Sequence, residues 1–352
     1  MKKSKYIFLV AGIVLLIVLF KSFGVESTIG YISRIGLYGF FVICSIYIIT
    51  NVSLAYGWRV LVNYPIKGVY FYKFVLARIA GDATSSINAL GSAAGEPLKA
   101  MYVKDILPMN IGLATVFLDR LIHIISSVLM VLTGIFASFF VFKSHLMENL
   151  IIFILLLLVF IVMLFLFFRF VKNRSKGIII GIVEKFPERF KNKILTESSI
   201  KKINLIDDEI NFVLSSKNNL RHFYISLAMH YFGSIITCSL EIYLIVNYIS
   251  PADGINFLEG LFIYVFGFVA TSALFFIPAN VGTSEGSYSM ALSLLGHDPI
   301  IGLSVGIIRR LRTFVWSGIG VILLFYAGLI KKDRVVSDNK DCGTDTQVVE
   351  DK

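Results

Sequence analysis

Long apolar runs separated by short polar connectors dominate this chain. The stretch from Ile151 to Phe168 carries no polar side chain, and a helix needs about 20 apolar residues to cross the hydrocarbon core of a bilayer. The same pattern predicts full spans at Tyr6 to Phe23, Gly36 to Tyr56, Asn110 to Val141, Leu150 to Phe168, His222 to Ile249 and Ile300 to Ile330, each long enough for a helix with some tilt. Two further apolar stretches, Phe74 to Tyr102 and Glu259 to Leu295, are broken at their centres. Ser85 to Gly95 and Pro278 to Ser284 are rich in Gly, Ser, Asn, Ala or Pro, which interrupt helices. Neither stretch supplies two spans of about 20 residues around its break. The expected fold is therefore an all-α membrane protein with six full transmembrane helices and two re-entrant helical hairpins. Two short full helices in place of each hairpin leave loop sidedness unchanged, so charge does not separate the two arrangements.

Composition agrees. Apolar residues make up 57% of the chain and charged residues 16%, where a soluble chain carries roughly a quarter charged. The net charge of +10 would suit a nucleic-acid partner, but the placement of Lys and Arg argues for orientation instead. Lys2, Lys3 and Lys5, then Arg59, Lys67 and Lys73, then Lys99 and Lys104, the basic segment from Arg169 to Arg221, and Lys331, Lys332 and Arg334 fall on one predicted face. The other face has little beyond Arg34 and Lys143. By the positive-inside rule both termini are cytoplasmic, in a multi-pass protein of the inner (cell) membrane. The opening segment resembles a signal peptide, yet Lys21-Ser22-Phe23 lacks the small-residue cleavage pattern, so a retained first helix is expected. Cys44, Cys238 and Cys342 show no paired spacing, and neither disulfides, metal nor cofactor are expected. Residues 1–330 read as one transmembrane domain and 331–352 as a disordered cytoplasmic tail. Between Lys172 and Lys217, Ile203, Ile206, Ile210 and Val213 recur at helical spacing among charges. That spacing fits an amphipathic helix on the cytoplasmic leaflet, or a solvated connector.

The two broken stretches match each other. From Glu96 the chain runs through Pro108 and Ile111-Gly112-Leu113-Ala114 to Asp119-Arg120-Leu121; from Glu285 it runs through Pro299 and Ile301-Gly302-Leu303-Ser304 to Arg309-Arg310-Leu311. With one inserted residue the series superimpose, and the predicted topology enters them from opposite sides, as inverted repeats do. Transporters built this way bring broken helices together near the midplane, where free backbone groups and helix N-termini can hold an anion. Arg120 and Arg310 fall about ten residues into their helices, near mid-depth. An ionised side chain there costs about 2.5–3.5 kcal/mol on insertion scales. Arg309 and Arg312 lie close by, and Asp119, His123, Arg78, Asp82, Glu96, Glu241 and Glu285 are available as partners. One outcome is structural ion pairing, Glu96 with Arg120 and Glu285 with Arg310. The other is binding of a lipid phosphate by the arginines, whose planar guanidinium donates paired hydrogen bonds, and of a cation or proton by the glutamates. Glu241 suits either role, and His123 reads as a satisfied core residue. The candidate substrate-binding set is Arg78, Asn88, Glu96, Asp119, Arg120, Asn280, Glu285, Arg309 and Arg310, with no catalytic residue.

Asn88 to Glu96 followed by Asp119-Arg120, and Pro278 to Glu285 followed by Arg309-Arg310, resemble the transmembrane region of lysylphosphatidylglycerol synthases, a flippase-like membrane domain, from about Tyr6 to Ile330. The resemblance implies movement of a phospholipid or glycolipid such as aminoacyl-phosphatidylglycerol, with a link to antibiotic resistance. In two-domain members a soluble C-terminal domain attaches the amino acid. The chain runs only to Lys352, so that domain is expected to be absent, and a separate soluble aminoacyl or glycosyl transferase is an expected partner. Two departures stand out: Leu90-Gly91-Ser92 lacks a preceding proline, and Ala94-Gly95 replaces a glycine pair. The alternatives are a lysyltransferase-type lipid-modifying enzyme, in which Glu96 or Glu285 is a general base, and a membrane anchor for a soluble transferase. No Gly-rich phosphate loop or nucleophile–His arrangement accompanies the enzyme reading. A homo-oligomer is left open, and nucleic acid is not expected.

Overall fold

The computed structural model describes residues 25–66, 70–87, 92–142, 154, 158, 162, 200, 203–208, 217–252, 254–274, 277 and 280–327. All regular structure among them is helical. The chain forms α1 (Val25–Leu61), α2 (Phe71–Ile87), α3 (Ser92–Tyr102), α4 (Met109–Val141), α5 (Lys217–Tyr231), a π-helical turn (Phe232–Ile236), α6 (Thr237–Ile249), α7 (Phe257–Ala273), α8 (Thr283–Leu294) and α9 (Pro299–Tyr326). The expected spans at Tyr6 to Phe23 and Leu150 to Phe168, and most of Lys172 to Lys217, lie outside the described residues.

Three helical stretches are long and apolar enough to cross a membrane: Ile29–Leu61, Met109–Val141 and Arg221–Ile249, the last running through α5, the π turn and α6. They carry large exposed apolar side chains such as Leu37, Phe41, Phe136 and Phe140, as a lipid-facing surface requires. α9 has a comparable length, 28 residues, but carries Arg309, Arg310 and Arg312 near its middle.

The broken stretches form helical hairpins. α2 and α3 pack on each other, as do α7 and α8. The second arms have only 11 and 12 residues, about 17 Å of helix against about 30 Å of hydrocarbon. In each half the second arm then leads through a proline into a long helix. Pro299 takes the first turn of α9 after Asp298, whose side chain accepts from the Ile300 N–H at 2.9 Å; proline suits this position because its missing N–H would be unpaired there anyway.

The halves repeat in space as well as in sequence. Gly112 of α4 faces Ala100 of α3, and Gly302 of α9 faces Ser289 of α8, the same register in both copies. The halves also interlock: α2 packs across α9, and α7 across α4. Each crossing is closed by a glycine. A methyl group on Gly134 would sit 2.4 Å from Val265 of α7, and one on Gly320 would sit 2.4 Å from Ala83 and 2.6 Å from the Ile79 carbonyl of α2. α1 and the α5–α6 unit lie against one another as the remaining equivalent pair. Thr50 and Thr237 join them by a hydrogen bond of 2.7 Å between hydroxyls.

Part of the predicted amphipathic segment is visible. Residues 203–208 are helical, and Ile206 packs against the cluster of Leu61, Ala114, Leu118 and Ile122. At this point the apolar face covers protein.

Candidate functional site

Among the described residues, most of the buried charged side chains of the helices gather into three groups. The first surrounds an open cavity of about 330 Å³ among α1 to α4, with Tyr47, Asn51, Arg78, Asp82, Glu96, Lys99, Asp119, Arg120 and His123 in its wall. Asp119 of α4 is 2% exposed and anchors one side. Its Oδ2 accepts from Arg78 Nη1 of α2 at 3.0 Å, and its Oδ1 lies 3.0 Å from His230 Nε2 of α5. Burying so many ionised groups is tolerable only when each faces an opposite charge. Lys99 of α3 supplies another such contact, its Nζ lying 3.4 Å from Asp82 and 3.5 Å from Glu96.

Several groups in this wall remain unsatisfied among the described residues, the buried Asn51 Oδ1, Arg78 Nε and Asp119 Oδ1 among them. Arg120 makes no hydrogen bond or ion pair with any of them, and the buried Oε2 of Glu96 has no hydrogen-bond partner. The predicted Glu96–Arg120 pair does not form, because Lys99, one turn along α3 from Glu96, takes the other oxygen of that carboxylate. His123 is likewise not a satisfied core histidine: it lines the cavity, and its buried Nδ1 has no partner among the described residues.

The second group lies beyond Tyr47. Glu241 of α6, 1% exposed, stands 3.2 Å from Arg309 Nε and 2.9 Å from Arg312 Nη1 of α9. Arg309 also donates to the Tyr288 hydroxyl and lies over the rings of Tyr264 and Tyr288, each 5.3 Å from its guanidinium carbon. Arg312 stacks over Tyr47 at 4.4 Å. Cation–π contacts of this kind offset part of the desolvation of a buried guanidinium. Tyr47 thus forms the partition between this group and the cavity.

The third group closes the second hairpin. Gly282 adopts φ +79°, and Asn280 φ +50°, left-handed conformations that fold the chain back into α8. The Glu285 carboxylate accepts from the Gly282 N–H at 2.9 Å and from Ser284 Oγ at 2.8 Å, and meets Arg310 Nε at 2.6 Å. Arg310 Nη2 reaches the Asn280 carbonyl and Ser284 Oγ, both at 3.1 Å. The expected Glu285–Arg310 pair forms, and it is fully engaged in the fold.

Of the sequence candidates, Arg78, Glu96, Asp119 and Arg120 converge on the cavity, while Asn280, Glu285 and Arg310 hold the hairpin and Arg309 joins Glu241; Asn88 lies outside the described residues. Lys99, placed by sequence among the cytoplasmic charges, is 4% exposed inside the protein. His230 and Tyr47 were not singled out. A histidine within the predicted span His222 to Ile249 was the available signal for the first; nothing local distinguishes Tyr47 from its aromatic neighbours.

The sequence matches the model of one family, described as the lysylphosphatidylglycerol synthase TM region, over residues 6–320. No curated protein and no solved structure matches significantly.

Proposed function

Because the chain belongs to the lysylphosphatidylglycerol synthase transmembrane-region family, and is an all-helical membrane protein, we propose that it carries a phospholipid or glycolipid headgroup through the bilayer in the α1–α4 cavity. The observation that carries this reading is Arg120. A guanidinium unpaired among the described residues, in the wall of a cavity of about 330 Å³, is a costly arrangement inside a membrane unless an anion visits it. A lipid phosphate answers that need, since guanidinium and phosphate form paired, charge-assisted hydrogen bonds. The free oxygen of Glu96 gives a cationic or hydroxyl substituent on the headgroup a place to bind. Arg78 and Asp119 shape the same wall. Glu285, Asn280 and Arg310 act indirectly, by keeping the second hairpin closed, and Arg309 by fixing α9 against α6.

In this reading the protein has six full spans with both termini cytoplasmic in the inner membrane, a single transmembrane domain over 1–330, and two hairpins that enter from opposite sides and return. Their short second arms support re-entrance. A separately encoded soluble aminoacyl or glycosyl transferase would supply the headgroup.

The test is transbilayer movement of fluorescent phosphatidylglycerol in proteoliposomes. Arg120→Ala is expected to slow it by roughly tenfold or more, the worth of a lost charged hydrogen bond, while insertion and folding are retained. An unaltered rate would refute the reading. Glu96 also supports a second reading, a lipid-modifying reaction with this carboxylate as base; a covalently altered phosphatidylglycerol produced by the purified protein would establish it.

A further inference from the structure

Three basic and three acidic side chains line the cavity among the described residues: Arg78, Lys99 and Arg120 against Asp82, Glu96 and Asp119. Their pairing is uneven. Asp119 faces Arg78 at 3.0 Å, while one ammonium, that of Lys99, serves both Asp82 at 3.4 Å and Glu96 at 3.5 Å. Every carboxylate of this wall thus has a cation beside it already. Arg120 is the cation left over, with no ion pair among the described residues.

Lys99 is built into its position. Its side chain is 5% exposed, and its stem runs along Gly81 of α2, where an added methyl group would come within 2.6 Å of Lys99 Cγ and 2.7 Å of Cε. The bare backbone at residue 81 is what leaves room for the lysine. Its ammonium is therefore held at the carboxylate pair by a covalent tether, and an incoming amine competes against that high effective concentration.

We infer that Lys99 is a specificity residue, which turns ammonium-bearing headgroups away and leaves the cavity to an anionic lipid whose other headgroup substituents are hydroxyls, as in glycerol or a sugar. An entering ammonium must either displace Lys99 or share Glu96 with it. Displacement strands a buried charge without its partners, and sharing sets two like charges on one carboxylate. A hydroxyl meets neither penalty, because it donates to the unpartnered Oε2 of Glu96 without bringing charge. Specificity commonly comes from an unmatched charge set against the wrong ligand. The phosphate goes to Arg120 in either case, so the selection concerns the rest of the headgroup.

The inference rests on the proposed lipid-binding function and narrows its cargo. Native mass spectrometry of the purified full chain, offered equal amounts of phosphatidylglycerol and phosphatidylethanolamine in detergent, tests it. The two lipids share a phosphate and differ in carrying glycerol hydroxyls or an ammonium. Wild type is expected to retain phosphatidylglycerol over phosphatidylethanolamine by about tenfold, the scale set by leaving one charged group unpaired. Lys99→Met releases the carboxylate pair, and its retention of phosphatidylethanolamine should rise until the two lipids are held alike. Lys104→Met removes an exposed positive charge and should keep the wild-type preference, which separates the site from net charge. If the methionine variant at 99 does not fold, Lys99→Gln, which keeps an N–H donor for one carboxylate, is expected to give the same change. Equal retention of both lipids by wild type, an unchanged preference in the Lys99 variants, or the same loss of preference in Lys104→Met overturns the inference while lipid binding stands. Retention of neither lipid by wild type defeats the lipid reading and the inference with it.

Discussion

Asp119 shows how much a single buried carboxylate can organise. It holds Arg78 from α2 and faces His230 from α5, so its loss strands two polar groups in the protein interior. Asp119→Ala is expected to destabilise the protein by about 3–5 kcal/mol, the usual consequence of breaking a buried ion pair from one side. Asp119→Asn, which keeps an oxygen for Arg78, should lose less. Thermal unfolding in micelles measures both, and equal midpoints for Asp119→Ala and wild type would show the pairing to be incidental. Glu285–Arg310 was legible from sequence because the repeat register places the two residues at matching positions of adjacent helices. The partners of Asp119 were not. His230 is distant along the chain and meets α4 only because α5 packs there, while the choice of Lys99 over Arg120 as partner of Glu96 depends on the turn geometry within α3.

Elements carry the repeat. At the register where α4 has Asp119, α9 has Arg309, and each faces an opposite or complementary group on the α5–α6 unit, His230 for one and Glu241 for the other. The two halves thus share a frame with their charges reversed. Hydrophobic length and helix-breaking blocks made the long helices and hairpins readable in advance, since both depend on local composition. How the hairpins cross the opposite half depends on close approach, visible only in three dimensions. Gly320→Ala should destabilise by about 1–3 kcal/mol through overpacking against α2. Gly318→Ala, two residues along the same helix with nothing within 4 Å of the added methyl, should be neutral or slightly stabilising through helix propensity. Paired unfolding curves distinguish the two, and equal effects would mean that α2 and α9 do not cross so closely in the membrane.

At the scale of the whole molecule, the two halves interlock so that one polar cavity opens among the first four helices while the equivalent charges of the second half are tied into the fold. Under the proposed function that asymmetry would divide the work: the first half would meet the headgroup, and the second would brace it through Tyr47, stacked beneath Arg312. The proposed topology has both termini cytoplasmic, so a fluorescent protein fused after Lys352 is expected to mature and fluoresce in intact cells; a dark fusion with normal membrane insertion would invert that topology. The account depends most on a lipid phosphate meeting Arg120. Native mass spectrometry of the protein released from nanodiscs containing phosphatidylglycerol measures this directly. Wild type and Arg221→Ala, altered at an exposed site, are predicted to retain phosphatidylglycerol and Arg120→Ala to lose it. Equal retention by all three would contradict the account.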